Sequence, residues 1–146
     1  MAEHIINTMG QGQDDPCQGL KRLSAPDFIA NPIKTPFVLW LDGHDDIDAL
    51  IPYLPTLQHI AIAFPHFADG RGFSLARLLR EEGFQGHLRA TGHITPDQFR
   101  HVMAMGFDDI ALSPDLASRY GVKAWQDTAR LNLPDYQARV GQPPQK

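Results

Sequence analysis

Asp69, Gly70, Arg71 and Gly72 place a carboxylate and a guanidinium between two glycines, and Ser74 follows shortly after. Glycine lets a backbone turn sharply, which would bring Arg71 beside the N-terminus of a following helix. A guanidinium grips an oxyanion through two parallel hydrogen bonds, and the Ser74 hydroxyl with the helix-start amides would add donors. The expected chemistry is small-anion binding by Arg71 and Ser74, with Gly70 and Gly72 shaping the loop. Arg89 would join them if its side chain turned the same way. Asp69 or His93 would then handle protons, His93 because imidazole titrates near neutral pH. Plainer roles stand beside these: an Asp69–Arg71 ion pair pinning the loop, an N-cap at Ser74 and a solvated imidazole at His93.

Other reactive side chains carry less. Asp42, His44, Asp45, Asp46 and Asp48 supply oxygen and nitrogen donors, but their spacing fits no zinc or calcium loop, so no metal is expected there. Cys17 is the only cysteine, which excludes an intrachain disulfide, a CxxC redox pair, a four-cysteine iron–sulfur set and a structural zinc site, and no metal is expected in the chain. It sits in a Gly/Gln/Asp/Pro-rich stretch and reads as an inert thiol; the sharper reading is a mixed disulfide with a partner. No GxGxxG follows a strand, so no cofactor is assigned.

The elements that must position these groups follow from hydrophobic pattern. Residues 1–35 carry scattered glycines and prolines without sustained periodicity and read as an irregular N-terminal arm. Phe37–Leu41 reads as a buried strand, followed by a short helix over Asp46 to Leu54 that Pro52 and Pro55 limit. His59–Phe64 is apolar on both faces, as in a central parallel strand covered by helices on both sides. The next helix should start near Phe73 or Ser74 and stop before Gly83, with Leu75, Leu78 and Leu79 facing the sheet. His87–Thr91 gives a third strand, Thr95, Pro96 and Gln98 a capped helix start, and Asp109–Leu112 a fourth strand before another helix opens at Ser113-Pro114-Asp115.

The result is an α/β fold of about four parallel strands in βα repeats, either an open doubly-wound sheet or part of a barrel. Residues 36–121 form its domain, and residues 122–146 are a C-terminal arm of the same single domain or a dimer contact that protects a sheet edge. Ligands are expected beyond the carboxyl ends of the strands, where Asp42, His44 and Asp45 follow strand one, His66, Asp69, Arg71 and Ser74 strand two, Thr91, His93 and Thr95 strand three, and Ser113 and Asp115 strand four. Charge narrows the partners: 13 Lys and Arg against 17 Asp and Glu give a net charge of -4, which disfavours general nucleic-acid binding. No long apolar run and no signal-like N-terminus is present, so no membrane partner and a cytoplasmic location are expected.

Three stretches carry a resemblance. Phe64–Arg80, Gly86–Gln98 and Gly106–Asp108 resemble FPxFxDGRGxSxARLLR, GxLRAxGxxxxDQ and GFD, the hallmark of a bacterial family of unknown function described as oxidoreductases of sulfite reduction. The resemblance runs over roughly Asp45 to Leu112. It implies a role in assimilatory sulfite reduction, with a small anion as ligand and sulfite reductase or another sulfur-assimilation enzyme as partner. His66 stands where the family usually has lysine, Phe73 where tyrosine is usual and His93 where aspartate is usual, as in a diverged paralogue. The chain shows no redox or nucleotide motif of its own, so the oxidoreductase label attaches to the pathway. A non-catalytic accessory that docks on sulfite reductase through the arginine-rich helix from Ser74 to Glu82 is the alternative.

Overall fold

A computed structural model describes residues 4–42, 45–64, 71–119, 124, 125 and 127. In chain order the elements are β1 (His4–Asn7), β2 (Gly12–Gln13), β3 (Lys21–Ser24), α1 (Ala25–Ala30) and β4 (Phe37–Asp42), then a 3₁₀ segment over Asp48–Thr56 and β5 (His59–Phe64). They continue as α2 (Arg71–Glu81), β6 (His87–Gly92), a short 3₁₀ turn at Pro96–Gln98 leading into α3 (Phe99–Ala104), β7 (Asp109–Leu112) and α4 (Pro114–Arg119).

One seven-stranded sheet has the order β2-β1-β7-β6-β5-β4-β3. Strands β3 to β7 are parallel to one another, and β1 runs antiparallel to β7 and β2. The α/β class holds, but the sheet is larger than four strands and not wholly parallel. The stretch expected to be an irregular arm supplies β1, β2, β3 and α1. Its strands are short: β2 and β3 are largely polar and exposed and are held by pairing, whereas β1 buries Ile5 and Ile6 beside β7.

The parallel strands follow one another in sequence order, with no reversal of the kind that defines a doubly-wound sheet. Right-handed crossovers in one direction place every connecting helix on one face, as in a segment of a barrel. Alternation along the strands agrees: Leu39, Leu41, Ile60, Ile62, Leu88 and Ile110 share a core with Phe28, Leu50, Leu54, Leu75, Leu79, Phe99 and Val102 from the helices. Helices on both faces are not found among the described residues. The second face instead carries Val38, Ala61 and Cys17, with Leu20 and Trp40 against them.

Helix α2 starts at Arg71, earlier than the glycine-rich sequence suggests, and ends before Gly83, whose φ of 106° closes it in the left-handed region. Leu75 and Leu79 are buried as expected, whereas Leu78 is 41% exposed. Arg80 turns inward, donating from Nε and Nη2 to the Gly106 carbonyl and from Nη1 to the carbonyls of Phe84 and Gly86. Its Nη2 also meets Asp108 at 3.0 Å, so α2 is fastened to the turns before β6 and β7.

Candidate functional site

The carboxyl ends of β6 and β7 frame a cleft of about 230 Å³ lined by Gly92, His93, Ser113, Asp115, Leu116 and Arg119. The chain enters it through Gly92, which ends β6 at φ 109° and passes so close to β5 that a Cβ there would lie 2.4 Å from the Phe64 carbonyl oxygen. The next amide, of His93, donates to that same oxygen at 2.8 Å, which leaves the His93 side chain exposed at the rim. Across the cleft, Ser113 accepts the Leu116 N–H at 3.3 Å and so caps α4, and Arg119 lies 3.5 Å from Asp115 one turn along.

Arg71 and Ser74 are exposed on the first turn of α2, on the helical side of the sheet. Asp69, Gly70 and His66 lie outside the described residues, as does His44 of the acidic cluster. Gly72 is not a loop residue: it sits within α2, where a Cβ would come 2.5 Å from the Phe64 ring, so close packing is what it serves. Arg89 does not come to Arg71. It is 4% exposed on the second face of the sheet, with Nε and Nη2 on the two oxygens of Asp109 and Nη1 2.9 Å from Asp15. Two carboxylates engage the whole fork, which is how a buried guanidinium is tolerated.

Around that ion pair lies a group of side chains that a linear reading separates. His59, His87 and Asp109 are the first residues of β5, β6 and β7, and parallel pairing sets His59 opposite His87 and Arg89 opposite Asp109. The turn after β2 lowers Cys17 onto them. Its Sγ is 3.4 Å from His59 Nδ1 and 3.6 Å from His87 Nδ1, and the two Nδ1 atoms are 3.0 Å apart. His87 Nε2 meets Asp109 Oδ2 at 2.7 Å, and the Cys17 N–H donates to Asp15 Oδ1 at 2.8 Å.

This arrangement separates the two imidazoles electrostatically. Burial, then repulsion from His87 and Arg89, holds the His59 pKa below its ordinary value of 6.5. Burial also opposes charge on His87, but hydrogen bonds to Asp109 and Cys17 outweigh it and lift the pKa to about 9. For Asp109, burial is again overcome by His87 and Arg89, which hold the carboxyl below its usual range. At neutral pH His59 is therefore neutral and His87 an imidazolium bridging Asp109 and its two other neighbours. Among the described residues, Cys17, His59 and His87 bring their ligating atoms within 4.8 Å of one another. A strand-by-strand reading misses this group. The signal present in the sequence is that three successive strands open on His, His and Asp.

The chain matches no curated protein and no solved structure at a significant level. Residues 38–145, well over half of the chain, match the family described as "Bacterial protein of unknown function (DUF934)", a span that contains the cleft, both histidines, Arg89 and Asp109 but neither Asp15 nor Cys17. The protein belongs to that bacterial family.

Proposed function

We propose that this protein binds a small oxyanion at the carboxyl edge of its parallel strands and serves assimilatory sulfite reduction, the pathway link coming from the resemblance of its DGRG-containing stretch. The observation that supports the reading is the cleft between β6 and β7, which holds a cationic side chain, Arg119, a titratable one, His93, and a hydroxyl, Ser113, in the place where parallel α/β sheets receive ligands. β5 ends at Phe64, which is paired with Gly92, and α2 begins at Arg71. Arg71 and Ser74, on the first turn of α2, are offered as further anion donors, with Asp69 or His93 handling protons.

Thermal unfolding of wild type, Arg71→Ala and Arg119→Ala with sulfite, sulfate, phosphate, mononucleotides and flavin tests this. A ligand at a hundred times its Kd stabilises by about 2.7 kcal/mol, a shift readily seen in a chain of this size. The expected outcome is a shift with an oxyanion that both variants lose while staying folded. No shift with any ligand refutes the reading and favours the non-catalytic accessory. That second reading has its own support in Leu78, 41% exposed on α2 beside the exposed Arg77–Glu81 pair, and predicts that Leu78→Glu weakens capture of sulfite reductase.

A further inference from the structure

We propose that Cys17, His59 and His87 form a binding site for one zinc-class divalent transition ion at the amino edge of the parallel strands, with the fourth coordination position open to water or an exogenous donor. The site is independent of the proposed anion cleft, which lies at the opposite end of β6 and β7.

The donor atoms have the spacing that such an ion imposes. Zinc bonds of about 2.3 Å to sulfur and about 2.0–2.1 Å to nitrogen, at tetrahedral angles, put sulfur about 3.5 Å from nitrogen and the nitrogens about 3.3 Å from each other. Here the sulfur lies 3.4 and 3.6 Å from the two Nδ1 atoms, and the nitrogens are 3.0 Å apart. The ion requires the imidazoles to part by a few tenths of an ångström. Thiolate and imidazole together select zinc, cobalt or copper over calcium and magnesium, which take oxygen.

The surroundings are those of a metal site as well. A ligating histidine ordinarily donates its other ring N–H to a carboxylate, which fixes its tautomer and orientation. His87 does so to Asp109 at 2.7 Å, leaving Nδ1 to face Cys17 and His59. Arg89 holds Asp109 through two bonds and Asp15 through a third, and Asp15 in turn accepts the Cys17 N–H. Both the thiol and one imidazole are therefore positioned by the same guanidinium. With a thiolate bound, the formal charges of the ion, Cys17, Asp109, Asp15 and Arg89 cancel, which suits a buried cluster.

The test is cobalt and zinc binding by the full-length chain, stripped with a chelator and kept reduced. We expect one equivalent of Co²⁺ to give a thiolate-to-cobalt charge-transfer band together with the intense visible bands of tetrahedral cobalt, and Zn²⁺ to displace it. Cys17→Ser should lose the charge-transfer band. Asp109→Asn should keep it but bind zinc about 10–100-fold more weakly in competition with a chromophoric chelator. Absence of the charge-transfer band in folded wild type overturns the site, whatever the variants do, and so does its persistence in Cys17→Ser. Wild-type zinc affinity in Asp109→Asn overturns the positioning role of Asp109. Because the readout is metal binding, its failure leaves the oxyanion shift untouched, and the reverse is also true.

Discussion

His87 is the residue whose surroundings set the strongest solution behaviour. In the metal-free protein its folded pKa of about 9 lies above the ordinary 6.5, with Asp109, Cys17, His59, Arg89 and Asp15 as the charged and titratable groups around it. A raised histidine pKa stabilises the fold fully below the unfolded value, and the contribution disappears as pH rises through the folded one. Chelator-treated protein should therefore lose thermal stability between about pH 6.5 and 9, and His87→Gln should flatten that slope. His59 acts oppositely, since its lowered pKa subtracts stability as pH falls below 6.5, so the two histidines together put the maximum near pH 6.5. None of this is visible along the chain. His59 and His87 are separated by 28 positions, and only the β5–β6 register brings their rings together. Cys17 reads as an inert thiol because its neighbours in sequence are turn formers, while its neighbours in space are two imidazoles.

At the scale of elements, legibility followed from where the stabilisation comes from. Strands β4, β5, β6 and β7 were readable because their own residues bury, and so was the helix start at Thr95, whose N–H is met by Gln98 Oε1 at 3.0 Å. Strands β1, β2 and β3 were not: Gly12–Gln13 and Lys21–Ser24 are polar and exposed and exist through pairing, while β1 offers only the two adjacent apolar residues Ile5 and Ile6, too short a run to show a period. The glycines at element ends separate in the same way. Gly83 and Gly92 both have positive φ, but a Cβ at Gly83 meets nothing within 4 Å, whereas at Gly92 it meets the Phe64 backbone at 2.4 Å. Gly83→Ala is expected to cost about 1 kcal/mol, the penalty of the left-handed conformation alone. Gly92→Ala adds a backbone collision and should cost at least about 3 kcal/mol, with β5 and β6 pushed apart. Urea midpoints at unchanged m-value distinguish the two.

For the whole molecule, strand order explains the division of labour. Sequential parallel strands with crossovers on one side give a large apolar helical face and leave the other face a smaller apolar patch around Val38 and Ala61 beside polar residues, where Arg89 and Asp109 meet Asp15 from the chain between β2 and β3. The sheet edges are blunted by the two-residue length of β2 and by exposed Lys21 and Arg22 on β3, so edge protection does not itself call for a homodimer. No helix among the described residues is long and apolar enough to cross a membrane.

The turn that carries Cys17 onto the strands also has a kinetic meaning. It meets His59 from 42 positions away and His87 from 70, while the parallel strands it covers must already be aligned for those partners to exist. Contacts of such separation close late, because the chain entropy of a long loop is surrendered before any contact compensates it. Removing Asp15, which ties the turn to Arg89, should accordingly act on the unfolding limb of a chevron plot: Asp15→Ala speeds unfolding and leaves refolding within about a factor of two, a φ-value near zero. A refolding limb slowed in proportion to the lost stability would instead place the turn in the folding nucleus. If it is late, the last event of folding is also the one that completes the thiol–imidazole cluster, so the cluster opens first when the protein begins to unfold.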